Sequence, residues 1–284
     1  MVEIENLSFG YPGQPLLLEH LQLRLEEGHI YGLLGKNGAG KSTLLKNMVG
    51  LAFPQAGRCL LHGQPTKRRL PSILEEVYFL SEDIYVPALT GAQFVARTAG
   101  FYPQFDAGSF QRYLHELEVP LHAMLSQLSF GQQKKFMIAF GLATNTSLLV
   151  MDEPTNGLDI PSKAQFRRLI ASALTPERCV IISTHQVRDL DSLIDTVVVL
   201  HQQHIVLNED LERLAERLTF GTVSIANAQE ALYAEDAARG HQAILPNPTG
   251  RPGKVDLELL FNGITASSQT ITTYLNQPSY AQSV

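Results

Sequence analysis

Two rhythms alternate along the chain. Ile30 to Leu34, Val77 to Leu80, Leu148 to Met151, Cys179 to Ser183 and Thr196 to Leu200 are short apolar runs, the pattern of strands covered on both faces. Longer stretches with helical spacing separate them. The alternation predicts an α/β domain built on a largely parallel central sheet. Val2 to Phe9 and Leu16 to Leu25 instead alternate residue by residue, which predicts an antiparallel pair ahead of that sheet. From Asp83 to Thr146 the spacing stays helical with no strong strand, too long for a simple crossover, so a helical subdomain is expected at about 83–146. A strand-turn-strand over Thr196 to Asn208 and a helix over Glu209 to Leu218 close the main domain, residues 1–218. Beyond it the pattern changes: LPNPTGRPG is rich in proline and glycine, a helix is expected over Val255 to Asn262, and a polar tail follows, so residues 219–284 read as a small C-terminal extension.

Composition narrows the class. Apolar residues make up 44% and charged residues 18% of 284 positions, enough for a full core without disulfides or metals. A formal charge of −6 with no long basic stripe argues against nucleic acid as a partner. Cys59 and Cys179 stand far apart without a CxxC pattern and read as buried thiols of a reduced, cytoplasmic protein. MVEIENLSFG has acidic residues and no signal-length apolar stretch, and no run approaches the ~20 residues that span a bilayer. If membranes matter, another chain is expected to cross them.

The chemistry concentrates at two strand ends. Gly35-Lys36-Asn37-Gly38-Ala39-Gly40-Lys41-Ser42-Thr43 follows the strand IYGLL and precedes the helical LLKNMVG, which is the context a phosphate loop needs. Gly38 and Gly40 allow successive N–H groups to turn inward, and the helix N-terminus adds its positive end, so the loop can cradle phosphate oxygens. Lys41 can reach the β- and γ-phosphates, and the Ser42 hydroxyl can ligate Mg²⁺, a hard cation that prefers oxygen. SLLVMDEPTNGLD places Asp152 and Glu153 at the end of a second strand, Asp152 to hold Mg²⁺ through water and Glu153 to accept a proton from attacking water.

Further along, LSFGQ (Leu128 to Gln132), NGLD ending at Asp159, and His185 in ISTH occur in one order. With the phosphate loop and the acidic pair, they make the chain resemble the ATP-binding cassette family over about residues 2 to 218, closest to stand-alone cassettes serving a separate permease. The resemblance implies a P-loop NTPase cassette fold with an antiparallel β subdomain, a mostly parallel central sheet, an inserted helical subdomain and a C-terminal extension. It implies ATP and Mg²⁺ as ligands, ATP hydrolysis, and a homodimer sandwiching two ATP molecules. Each γ-phosphate would face Ser129, Gly131 and Gln132 of the other copy. Tyr11 in FGYPG would stack on adenine, His185 would pin the γ-phosphate, and Asp159 would communicate between sites. It further implies a separately encoded transmembrane permease, contact with the membrane only through it, a peripheral place on the inner face of the cell membrane, and export rather than import.

Several residues depart from or add to that pattern. Glu82 stands where the family usually has glutamine; a carboxylate beside a triphosphate is unfavourable unless metal-bound, so Glu82 should either ligate Mg²⁺ directly or swing away, and direct ligation is the expectation. LSFGQ resembles the family's signature loop, in which Phe130 replaces a small residue and is expected to point away from phosphate into packing. The aromatics between Tyr78 and Tyr113 read mainly as subdomain core, with some available to a permease helix. His201 and His204 have metal-like spacing but fall in a strand-to-strand turn without other ligands. Competing readings are a soluble cassette ATPase acting on ribosomes or DNA, which usually carries two cassettes or a coiled-coil insertion, and a regulatory module that binds ATP with little turnover. Glu153 argues against the latter.

Overall fold

The computed structural model describes residues 1–224, 230–238 and 240–277. Strands β1 (Val2–Phe9) and β2 (Leu18–Leu25) pair antiparallel, as their alternation predicts. Leu16 and Leu17 precede β2 rather than extending it. The chain then enters β3 (Ile30–Leu34), passes the phosphate loop into α1 (Lys41–Met48), and returns to the first sheet as β4 (Ala56–Leu61) and the short β5 (Gln64–Pro65), giving the order β2-β1-β4-β5. β4 carried little sequence signal because its first half, Ala-Gly-Arg, is exposed and only Cys59, Leu60 and Leu61 are buried.

After the single turn α2 (Pro71–Leu74) comes β6 (Val77–Leu80), then the helical region: α3 (Gly91–Thr98), α4 (Ala107–Glu116) and α5 (Phe130–Ala143). β7 (Leu148–Asp152), α6 (Ile160–Ala173), β8 (Cys179–Thr184), β9 (Thr196–His201), β10 (His204–Asp210) and α7 (Leu211–Arg217) complete the main body. The central sheet has the order β10-β9-β3-β8-β7-β6, parallel except for the β9–β10 hairpin. β3, β7 and β8 are wholly buried, and their residues divide by parity: Leu149 and Met151 pack with α5 and α6, Leu148 and Val150 with α1 and the first sheet. His201 and His204 flank the β9–β10 turn, and His204 Nδ1 bonds the Glu19 carbonyl.

From Phe136 onward helix α5 is apolar on every side and mostly buried, so this half serves as the subdomain's axis. Phe140 is fully buried and meets Tyr78, Phe94, Tyr102, Phe105 and Phe110 at ring-centroid distances of 5.1–6.1 Å. The aromatic run is therefore mostly core, whereas Tyr85 and Phe101 stand out at 86% and 71% exposed.

The C-terminal extension is more ordered than its composition suggests. β11 (Leu218–Val223), β12 (Tyr233–Ala237) and β13 (Gly240–Pro246) form an antiparallel sheet in the order β11-β13-β12. Helix α8 runs from Leu257 to Asn276, well past the expected end at Asn262, with a kink at Ser267. Leu257, Leu260, Ile264, Ile271 and Leu275 form a buried stripe at helical spacing, which overrides the polar residues between them. They join the same apolar cluster as Leu190, Ile194 and Val197 of the main body. Residues 278–284 of the expected polar tail lie outside the described residues.

Candidate active site

The phosphate loop closes on itself because its glycines permit it. Gly38 and Gly40 have φ of +80° and +103°, the left-handed region that residues with a Cβ avoid. A Cβ on Gly40 would also come within 2.9 Å of Leu18, so this position is fixed by space as well as by backbone angle. Gly40 caps α1 without any side-chain acceptor, leaving N–H groups of the first turn open to an anion. Lys41, only 6% exposed, bends back to donate to the Gly35 carbonyl at 2.8 Å and the Lys36 carbonyl at 3.5 Å, and its Nζ lies 3.6 Å from Glu153 Oε1.

The acidic pair sits opposite. Asp152 ends β7 and accepts a 2.5 Å hydrogen bond from Ser183 Oγ. Glu153 follows with φ of +46°, and its N–H donates to Ser183 Oγ at 3.0 Å and to the Ser183 carbonyl at 3.2 Å. Its Oε1 lies 2.9 Å from His185 Nδ1, while Oε2 is buried without a hydrogen-bond partner. An unpaired buried carboxylate oxygen is costly, and a water or substrate group arriving there would satisfy it. A cavity of about 350 Å³ brings Asn37, Gly38, Gly40, Lys41, Ser42, Thr43, Glu82, Glu153 and His185 together, with Leu17 as an apolar wall.

Glu82 faces this cavity and accepts a hydrogen bond from Asn156 Nδ2 at 3.0 Å. Among the described residues, no three His, Cys, Asp or Glu side chains converge as a ready-made metal cage. The oxygen-only donors here suit Mg²⁺, which is held by one or two carboxylates and completes its shell with water and substrate phosphates. Tyr11 shares a 3.1 Å hydrogen bond with Thr43 Oγ1, packs edge-on against Phe9 and remains 41% exposed at the loop's mouth.

Ser129, Gly131, Gln132 and Asp159 do not line that cavity, and neither do Tyr11, Gly35, Lys36, Ala39 and Asp152. Ser129 and Gln132 form a capping box at the start of α5. Asp159 caps α6, and hydrogen bonds from Ser162 hold its carboxyl below the usual carboxylate range. The signature and the following loop lie against each other: a Cβ on Gly131 would meet the Gly157 carbonyl at 3.2 Å, and one on Gly157 would meet the Phe130 ring at 2.8 Å. Phe130 does pack in this way, yet stays 49% exposed.

Residues that sequence reasoning missed are Leu17, Ser183, Asn156 and Lys134. Ser183 had a readable signal, since it ends an apolar strand directly beside the acidic one; the others depend on tertiary placement.

Residues 18–156 match the family described as ABC transporter. The chain is 30% identical to the bacitracin transport ATP-binding protein BcrA of Enterococcus faecalis, over 76% of this chain and 71% of that one. It is likewise 30% identical to the SkfA peptide export ATP-binding protein SkfE of Bacillus subtilis, over 70% and 85% respectively. Its fold matches the dimeric post-hydrolysis structure of the cassette MJ0796 bound to ADP and Pi, with a TM-score of 0.65 and 24% identity, covering 74% of this chain and 98% of that one.

Proposed function

The chain belongs to the ABC transporter family of ATP-binding ATPases, and on that premise we propose that two copies hydrolyse ATP between them to drive a separate membrane permease, in the direction of export. The observation carrying this reading is that Lys41, Ser42, Glu153 and His185 share one cavity, while the start of α5, from Ser129 to Gln132, lies outside it on the same chain. A second copy, related by a two-fold axis, would bring that helix start to the first copy's nucleotide.

In this reading the loop amides hold the phosphate chain and Lys41 Nζ exchanges the Gly35 carbonyl for a phosphate oxygen. Ser42, Asp152 and Glu82 would hold Mg²⁺, which when bound would neutralise charge on the phosphoryl oxygens. Glu153 Oε2 takes a proton from the attacking water, whose oxygen bonds the γ-phosphorus as the bridging bond to ADP breaks. His185, held by Glu153 Oε1, orients that water and the γ-phosphate. Tyr11, hydrogen-bonded to Thr43 of the phosphate loop, would stack on adenine, and Asp159 at the start of α6 would communicate between the two sites.

No helix among the described residues is long and apolar enough to cross a membrane, so a permease must be a separate chain or segment. Tyr85 and Phe101, exposed on the helical subdomain, suit the apolar face of a permease helix. A relative named for peptide export supports export. Steady-state ATPase of wild type against Glu153→Gln tests the chemistry, with at least a 100-fold loss expected. Purification from detergent-solubilised membranes should bring down a polytopic protein; ribosomes or DNA instead would overturn the transport reading.

A further inference from the structure

Lys134 is fully buried, a costly place for an ammonium unless each donor is occupied. Its Nζ donates to the Glu153 carbonyl at 2.9 Å and to the Asn156 carbonyl at 3.1 Å, and it lies 5.1 Å from the centre of the Phe130 ring. The carbonyls take two donors and the ring face receives the third side of the cation. Burial pushes its pKa down, and the nearby carboxylates of Glu82, Glu153, Asp152 and Asp83 act in the opposite sense.

Both carbonyls belong to the turn that carries Glu153. That residue's left-handed backbone costs about 1–2 kcal/mol for a side chain with a Cβ, so the turn persists only because its surroundings hold it. From the sheet, Ser183 holds the Glu153 N–H. From the other side, Lys134 holds the carbonyl, and Lys134 stands on the helix that begins at the signature loop. Phe130 and Gly131 pack on Gly157 of the same turn, so the signature loop, Lys134 and the Glu153–Gly157 segment are in direct contact.

We propose that Lys134 is a positioning residue for hydrolysis: its ammonium fixes the Glu153–Asn156 turn to α5, so that the aim of the Glu153 carboxylate follows the position of the helix whose start meets the other copy's nucleotide. This rests on the hydrolytic reading above. It gives a physical reason why a water-activating carboxylate should respond to closure of the dimer, because the same helix carries both contacts.

The test compares the full chain with Lys134→Met, which keeps length and removes charge, and with Lys134→Gln, which keeps one donor. kcat and KM for Mg·ATP, equilibrium ATP binding and thermal melting are measured on each. kcat should fall about 10- to 100-fold in Lys134→Met and less in Lys134→Gln. ATP affinity and KM should stay within roughly threefold in both. A merely structural role would lower affinity together with kcat, or lower only the melting temperature. Should the methionine variant not fold, the glutamine variant carries the test alone. Unchanged kcat in a folded variant, or loss of ATP binding in step with kcat, overturns the assignment. A wild type without ATPase activity overturns the hydrolytic reading with it, whereas an active wild type beside equally active variants overturns this inference only.

Discussion

Replacing Ser183 with alanine removes one oxygen atom that serves both acids. Ser183 is fully buried; its Oγ donates to Asp152 Oδ1 at 2.5 Å and accepts the Glu153 N–H at 3.0 Å. The bond to a charged, buried acceptor contributes about 1.5–3 kcal/mol, whereas the amide bond lost is partly covered by the Ser183 carbonyl at 3.2 Å. Alanine fills nearly the same volume, so little cavity cost adds to this. The net loss should be about 2–3 kcal/mol, which for a chain of this size lowers Tm by about 3–5 °C. Thermal melting without nucleotide reads the stability directly, and ATPase measured on the folded fraction should fall as well, because both acids lose a positioning contact. A Tm within about 2 °C of wild type would refute the reasoning, since it would mean that the Asp152 carboxylate does not depend on this hydroxyl.

Gly40→Ala should abolish nucleotide binding and lower Tm, because φ of +103° and a Cβ at 2.9 Å from Leu18 penalise it in two ways; equilibrium ATP binding checks this. In Glu82→Gln, the Mg²⁺ concentration giving half-maximal hydrolysis should rise, and an unchanged Mg²⁺ titration would count against direct ligation by Glu82. Cys59 and Cys179 are buried, and burial pushes both thiols up to about 12. A thiol reagent at pH 8 should therefore modify them only on unfolding, and rapid labelling of the native chain would contradict the packing described.

The sequence made the chemistry legible where a local pattern dictates it. A glycine-rich turn between a buried strand and a helix has few uses, and Asn37, Gly38 and Gly40 to Thr43 line one cavity with Glu153 and His185. The central strands were legible for the same reason, since fully buried strands leave apolar runs. What escaped was whatever depends on partners distant in sequence. Lys134 looks like one polar residue of a helix until the fold brings the Glu153 and Asn156 carbonyls to it. The extension misled through composition: the strands β11, β12 and β13 are half-exposed and mixed in polarity, so their pairing left no alternation to find. The longer α8 could have been found, because the stripe from Leu257 to Leu275 keeps its spacing through a polar stretch.

The central claim is that the site on one chain is incomplete and that ATP joins two copies across it. Light scattering on the Glu153→Gln variant, with and without Mg·ATP, tests it most directly, because blocked hydrolysis should preserve the joined state. The account predicts a shift from the 31.4 kDa chain mass to twice that value on adding Mg·ATP, reversed when the nucleotide is removed. A particle that binds ATP and keeps its mass unchanged would contradict it.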